Sequence, residues 1–173
     1  MRVICCVDEI AAAHASCDAI VHYGDACLSS LTKNIPVKFV FGSLQCNLSG
    51  FHSVDKFLVA DTSVPILLLT DACYSEKIVE LEEIIRQLIP KERCLFVASL
   101  ADPTQDFDSF DGSNLILCLG RVVPKAFCEA VSVQVCFVGD QKSPLIPLWL
   151  MMNTQCSSLV TYDPQSLSIT QET

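Results

Sequence analysis

The chain has 173 residues, a length that suits one large domain or two small ones. Apolar residues make up 51% of the chain and charged residues 18%, so the chain can bury a core and general disorder is not expected. The net charge of −9 argues against binding of a nucleic-acid backbone as the main role, because that role needs clustered lysines and arginines. A local basic patch, or an acidic face for a basic partner, stays open.

The sequence contains no long apolar segment and no clear signal peptide. Its longest apolar run, 145–152, contains Pro147 and is about half the roughly 18 residues that a membrane span needs. A cytoplasmic chain is therefore expected. The eleven cysteines are an odd number in a chain that is not small and loop-rich, which argues against a disulfide framework. Cys94, Cys118 and Cys136 lie in apolar runs and are predicted to be core thiols.

The predicted elements begin with a helix that has Asp8 and Glu9 in its first turn, where the helix dipole favours acidic side chains. A later helix shows an apolar stripe from Ile78 to Leu88, with Ser75 as its predicted cap and Pro90 as its end. A polar loop rich in aspartate is predicted over 101–112. In chain order the pattern predicts a helix over 7–16, strands over 18–23, 36–41 and 64–70, the stripe helix, strands over 94–100, 115–119 and 133–138, a helix over 145–152 and a strand over 159–162.

Strands that are apolar throughout and alternate with helices indicate an α/β fold with a mainly parallel sheet. In such sheets, ligands bind beyond the carboxyl ends of the strands. Gly24, Gly42 and Gly139 each follow a predicted strand directly.

Several common catalytic motifs are missing from the sequence. There is no phosphate-binding glycine loop, no dinucleotide fingerprint, no Cys-x-x-Cys and no Gly-x-Ser-x-Gly elbow. His22 lies within a predicted strand, where packing or a hydrogen bond is favoured over catalysis.

Three cysteines form the remaining candidate site. Cys5 and Cys6 lie just before the first predicted helix, and Cys27 lies just after the first predicted strand. The connection between helix and strand reverses direction, so both cysteine-bearing loops can lie at one end of the sheet. Iron–sulfur clusters need thiolates, and a helix start beside Cys6 stabilises negative charge. The residues alone leave a metal or cluster site and ordinary core thiols both open.

The same residues carry a resemblance to a known family. The runs Cys5–Ala12, Ala19–Ser29 and Pro36–Gly42 resemble the diphthamide synthase family in order and spacing, and weaker matches lie at 138–140 and 160–164. The resemblance implies a Rossmann-like α/β fold. It also implies the first step of diphthamide biosynthesis, in which a 3-amino-3-carboxypropyl group passes from S-adenosylmethionine to a histidine of translation elongation factor 2.

The resemblance further implies a [4Fe–4S] cluster whose candidate metal ligands are Cys5, Cys6 and Cys27, Cys27 acting together with either Cys5 or Cys6. It implies a heterodimer with subunit 1, which carries the catalytic cluster, and an electron-donor protein. In that catalytic subunit a cysteine lies in a Leu-Gly-Cys-Thr-x-Pro run. This chain has Arg121 at the corresponding position, which favours the accessory subunit, whose cluster supports reduction of the catalytic one.

The family is longer than this chain. The expected organisation is a partial first domain over 1–52, with the cluster cysteines, and a near-complete second domain over 53–173, the third family domain being absent. Two alternatives stay open. One is a non-catalytic remnant that binds subunit 1 without a cluster. The other, ranked last because zinc-ligand spacing is missing, is a zinc-stabilised α/β domain.

Overall fold

A computed structural model describes residues 7–28, 34–58, 61–105 and 114–172 of the chain. Short 3₁₀ helices precede the first long strand and the longest α-helix. The helices are α1 (Glu9–His14), α2 (Ile78–Leu88), α3 (Lys125–Glu129) and α4 (Leu145–Met152), with 3₁₀ helices at Phe51–Phe57 and Ala72–Lys77. The strands are β1 (Ile20–Tyr23), β2 (Val37–Val40), β3 (Ile66–Thr70), β4 (Leu95–Val97), β5 (Ser99–Leu100), β6 (Leu115–Cys118), β7 (Arg121–Pro124), β8 (Val133–Val138), β9 (Cys156–Asp163) and β10 (Ser168–Glu172).

The largest sheet has five strands in the order β10-β9-β8-β3-β4. Strand β3 pairs in parallel with β4 and β8, and β8 pairs in parallel with β9. Only β10, at one edge of this sheet, is antiparallel. The helices α2 and α4 connect β3 to β4 and β8 to β9, as parallel pairing requires.

Both faces of the five-stranded sheet are covered, which explains its continuous apolar strands. Leu67 and Leu69 of β3 pack on one face with α4, whose Trp149 is almost fully buried. Ile66 and Leu68 pack on the other face with α2 and the first 3₁₀ helix. Alternate residues of each strand point to opposite faces, so one strand contributes to both halves of the core.

Two smaller sheets lie beside the large one. Strands β1 and β2 form a parallel pair, preceded by α1, whose Asp8 side chain accepts a hydrogen bond of 2.9 Å from the backbone N–H of Ala11. Strands β5, β7 and β6 form an antiparallel sheet. The β6–β7 hairpin turns at Leu119 and Gly120, whose φ angles are +47° and +71°. Positive φ at both central residues is a feature of type I′ turns, which match the twist of hairpin strands.

The predicted α/β class and the mainly parallel sheet are confirmed, while the three-stranded antiparallel sheet was not expected. The prediction of one strand over 94–100 is wrong, because this segment forms two strands. The last backbone hydrogen bond to β3 is the one that the N–H of Ala98 donates to the carbonyl of Leu68, and β5 then pairs with β7. The predicted Ser75 cap is also wrong, since its hydroxyl donates to the carbonyl of Ala72 inside a 3₁₀ helix.

The predicted core thiols behave differently from one another. Cys136 is fully buried in β8, as expected, and burial raises its pKa to about 12. Cys118 is half-buried, and burial raises its pKa as well. The prediction for Cys94 is wrong, because this residue precedes β4 at the edge of the sheet and is exposed.

Within the described ranges, none of the helices has the length and apolar character that crossing a membrane requires. The longest of them, α2, is amphipathic and packs one face on the large sheet.

The stripe of α2 gives a direct test of the core. Leu81 is fully buried between α2 and the sheet, so Leu81→Ala should lower the free energy of unfolding by about 2–5 kcal/mol through lost burial and a residual cavity. Val79 lies on the same helix and is 63% exposed, so Val79→Ala should stay within about 0.5 kcal/mol of the parent. Urea denaturation measures both. Equal losses in the two variants would contradict the assigned face.

Candidate functional site

A cavity of about 670 Å³ opens at the carboxyl ends of β1, β2, β3 and β8, where ligands of parallel sheets bind. Its volume lies within the range typical of small-molecule and cofactor sites. Polar and sulfur-bearing residues stand on its wall beside an apolar side formed by α4. The lining residues are Tyr23, Gly24, Asp25, Ala26, Cys27, Phe41, Asp71, Ala72, Cys73, Leu119, Asp140, Lys142, Ser143, Pro144, Leu145 and Leu148.

Cys27 lies on this wall, in the segment that follows β1, and only 6% of it is exposed. Its neighbours Ala26 and Leu28 are buried in a small apolar cluster that also contains Ala101. Phe39 and Phe41, at the end of the neighbouring strand β2, pack against the same cluster. Cys27 is therefore held between two anchored residues at the edge of the cavity.

The loop that carries Cys27 rests directly on the β6–β7 turn. A Cβ atom on Gly120 would stand 1.9 Å from the carbonyl oxygen of Ala26, so only glycine fits at this contact. The carbonyl of Gly120 also accepts a hydrogen bond of 2.9 Å from the N–H of Ala101, which fixes the turn against β5. The antiparallel sheet thus serves as a platform for the Cys27 loop.

A buried ion pair ties the loop to the platform. The Arg121 guanidinium donates to both carboxylate oxygens of Asp25, over 2.8 Å to Oδ1 and 2.5 Å to Oδ2. The side chain of Arg121 is fully buried and that of Asp25 is 30% exposed. The second terminal nitrogen of Arg121 also donates to the carbonyl of Thr70, at the end of β3, over 2.9 Å. A bidentate pair of this kind fixes both distance and orientation.

His22 and Asp25 add a second link within the loop. The His22 Nε2 atom lies 3.1 Å from the backbone carbonyl of Asp25, so the ring donates this hydrogen bond, and the ring packs on Phe39 with centroids 5.6 Å apart. The prediction that His22 packs or forms a hydrogen bond is confirmed, since its ring does both.

Asp71 forms the opposite wall, directly after β3. Its Oδ1 atom accepts from the Ser143 hydroxyl over 2.6 Å, and its Oδ2 atom accepts from the N–H of Asp140 over 3.1 Å. Burial raises the pKa of this carboxyl, while the hydrogen bond from Ser143 opposes the rise. A Cβ atom on Gly139 would stand 2.2 Å from Asp71 Oδ2, so the glycine after β8 makes room for the carboxylate.

A second thiol, Cys73, also lines the cavity. Burial, with the nearby Asp71 carboxylate as a smaller cause, raises the pKa of Cys73 to about 11. At neutral pH this thiol is protonated and a weak nucleophile. Sequence reasoning missed Cys73 and Asp71; their place just after an apolar strand, at the ligand-binding end of the sheet, is the signal that could have found them.

Of the three predicted metal ligands, the structure describes one. Cys27 stands at the cavity, whereas Cys5 and Cys6 lie outside the described residues, so their joining Cys27 stays a prediction. In the part of the chain that the structure describes, no group of three or more histidine, cysteine or acidic side chains could hold a metal ion. The described residues place one predicted ligand, Cys27, beside a cavity of cofactor size.

Comparison with known proteins identifies the family of this chain. The model of a protein family described as "Putative diphthamide synthesis protein" matches residues 4–173. The chain belongs to this family. The match runs through the Cys27 loop, the β6–β7 turn and the five-stranded sheet.

Individual members of the diphthamide synthesis family extend the comparison. The chain is 35% identical over 170 residues to a Caenorhabditis elegans protein named 2-(3-amino-3-carboxypropyl)histidine synthase subunit 2, covering 97% of this chain and 35% of that protein. A Debaryomyces hansenii protein of the same name is 33% identical over 175 residues, covering 94% and 29%. A third, from Schizosaccharomyces pombe, is 54% identical over 67 residues, covering 39% and 12%. The chain thus spans about a third or less of the length of these relatives.

The contact between Gly120 and the Cys27 loop can be tested with a matched pair of glycines. Gly42 and Gly120 have similar φ angles, +73° and +71°, but a Cβ on Gly42 would meet nothing within 4 Å. Gly42→Ala should cost about 1–2 kcal/mol of unfolding free energy from the left-handed backbone alone. Gly120→Ala should cost about 1–3 kcal/mol more, because the added atom displaces Ala26. Chemical denaturation measures both, and equal costs would contradict the contact.

Proposed function

We propose that this chain is the part of a 2-(3-amino-3-carboxypropyl)histidine synthase subunit 2 that holds the thiolate end of an iron–sulfur site. It acts in the first step of diphthamide biosynthesis, in which the complex transfers a 3-amino-3-carboxypropyl group from S-adenosylmethionine to a histidine of translation elongation factor 2. The single observation that carries the proposal is the position of Cys27, anchored on both sides at the wall of a large cavity beyond the strand ends, in a chain of this family.

We propose that Cys27, together with either Cys5 or Cys6, holds a [4Fe–4S] cluster. When bound, the cluster supplies or accepts one electron. The chain's own contribution is to keep the Cys27 thiol buried beside the cavity, where water access is limited, and to hold its loop on the β6–β7 turn. Exclusion of water and the hydrogen bonds around a cluster set its reduction potential.

We further propose that this subunit supports the catalytic one and does not carry out the transfer itself. Arg121 stands where the catalytic subunit is expected to have a thiol, and its guanidinium is committed to Asp25 and Thr70. That position cannot supply a thiolate here. The partners are then subunit 1 as the other half of a heterodimer, elongation factor 2 as substrate of the complex, and an electron-donor protein in the cytoplasm. S-adenosylmethionine belongs to the complex as a whole.

The domain organisation is part of the same proposal. Residues 1–52 correspond to part of a first Rossmann-like domain, represented by α1, β1 and β2, and residues 53–173 to a second one built on the five-stranded sheet. The order β9-β8-β3-β4 of its parallel strands supports a Rossmann-like reading, since the order reverses beside β3, as it does in doubly wound sheets.

Reconstitution tests the cluster directly. The full chain, incubated with iron and sulfide without oxygen and then reduced, should show an electron paramagnetic resonance signal of an iron–sulfur cluster. Cys27→Ser should lower the spin count per chain about tenfold, because a hydroxyl is a far poorer ligand for iron than a thiolate.

Two cysteine variants control this experiment. Cys73→Ser changes a second thiol that lines the cavity, and Cys118→Ser changes a half-buried thiol of β6 that does not line it. Both should keep the parent signal. A signal that persists in Cys27→Ser, or that disappears equally in all three variants, would contradict the assignment of Cys27.

A second candidate function is a non-catalytic module that binds subunit 1 without a cluster. The observation that favours it is that position 121, where the catalytic subunit is expected to have a thiol, holds a guanidinium that is committed to Asp25 and Thr70. Co-purification with subunit 1 in the absence of bound iron would support this module, whereas iron retained in proportion to Cys27 would support the cluster.

A further inference from the structure

We infer that Arg121 is a positioning residue for Cys27: through Asp25 it fixes the loop that presents this thiol to the cavity. The role of the Cys27 thiol as a ligand rests on the proposed function. The positioning of its loop by Arg121 rests only on the contacts of Arg121 and Asp25. Arg121 does not line the cavity and is fully buried behind it, so it acts through Asp25 and not by contact with a ligand.

The contacts of Arg121 converge on three segments that form the wall. Its guanidinium donates to the Asp25 carboxylate in the Cys27 loop, to the carbonyl of Thr70 at the end of β3 over 2.9 Å, and to the carbonyl of Leu119 in the hairpin turn over 3.4 Å. Thr70 is followed directly by Asp71, on the opposite wall. One side chain therefore sets the distance between the loop and the far side of the cavity.

Asp25 transmits this restraint to Cys27. Its Oδ1 atom accepts a hydrogen bond of 2.9 Å from the N–H of Ala26, as well as one from Arg121. The carboxylate therefore fixes the Asp25–Ala26 peptide, one peptide bond before the one that joins Ala26 to Cys27. Without Arg121, Asp25 would keep its local bond to Ala26 but lose the link to β3 and β7.

The geometry of the guanidinium matters as much as its charge. Arginine offers a planar fork that binds both oxygens of a carboxylate and still reaches further acceptors, whereas lysine binds as a point charge. In Arg121→Lys the charge balance with Asp25 is kept, but the single nitrogen of an ammonium group cannot reproduce the planar, bidentate contact with Asp25 and still reach the carbonyls of Thr70 and Leu119. This variant should loosen the loop while the fold persists.

A second buried arginine provides the matched control. Arg93 is 5% exposed, and its Nε atom donates to the carbonyl of Val64 over 2.8 Å, just before β3 begins and thus at the opposite end of the sheet from the cavity. Arg93→Lys makes the same chemical change in a comparable environment. It should lower the stability of the fold without a selective effect on Cys27.

The test follows alkylation of the full, reduced and metal-free chain by iodoacetamide, with the rate at each cysteine read by peptide mass spectrometry. In Arg121→Lys and Asp25→Asn, the rate at Cys27 relative to that at the exposed Cys17 should rise about tenfold, because the loop opens more often. In Arg93→Lys this ratio should stay within about twofold of the parent. Circular dichroism verifies that each variant is folded. If Asp25→Asn does not fold, the Cys27 ratio of Arg121→Lys alone decides whether Arg121 positions Cys27.

An alkylation rate at Cys27, relative to Cys17, that is unchanged in Arg121→Lys would overturn the inference. So would a ratio that rises as much in Arg93→Lys.

The reconstituted chain gives a separate readout. If the parent shows a cluster signal, Arg121→Lys should change its line shape, since the displaced thiol alters the iron environment. If the parent shows no cluster signal, the cluster part of the proposed function fails, and the alkylation ratio still decides the positioning role.

Discussion

The ion pair between Arg121 and Asp25 is the interaction on which the arrangement of the cavity depends. It joins a loop after β1 to a strand of the antiparallel sheet, 96 positions later in the chain, and the same guanidinium reaches the end of β3. Burying the pair is costly, because the free energy of removing charges from water is offset only when the two groups have excellent hydrogen-bond geometry. Its bidentate form, with Thr70 as a further acceptor, supplies that geometry, and Gly120 allows the loop to come close enough.

The rest of the fold holds in place the segments that this ion pair joins. The five-stranded sheet, covered by α2 on one face and α4 on the other, gives β3 and β8 fixed carboxyl ends. Asp71 and Asp140 lie just beyond those ends and form one wall of the cavity, and the Cys27 loop forms the other. The small antiparallel sheet links the two walls. A rigid scaffold with functional residues at loop positions is the usual division of roles in α/β proteins.

The sequence predicts the scaffold better than the site. The covered strands β3 and β8 and the stripe of α2 stand out because apolar runs and helical spacing are local signals. Strand β7 was missed because Arg121 and Pro124 interrupt its pattern, and the partner that makes a buried arginine acceptable, Asp25, is distant in sequence. Cys27 was found through its neighbours in the sequence, whereas Cys73 was missed because its position just after the apolar strand β3 was not used as a signal.

A double-mutant cycle between Arg121 and Asp25 tests the central claim most directly, because it isolates their mutual energy from other effects of each change. Unfolding free energies of Arg121→Met, Asp25→Asn and the double variant would be compared with the parent. Asp25→Asn should cost about 3–5 kcal/mol, since it leaves the fully buried Arg121 guanidinium without its carboxylate. Arg121→Met should cost less, about 1–3 kcal/mol, because the Asp25 carboxylate that it leaves is 30% exposed and can be hydrated. The coupling energy should lie at about 1–3 kcal/mol. Additive effects, with coupling below about 0.5 kcal/mol, would contradict the account.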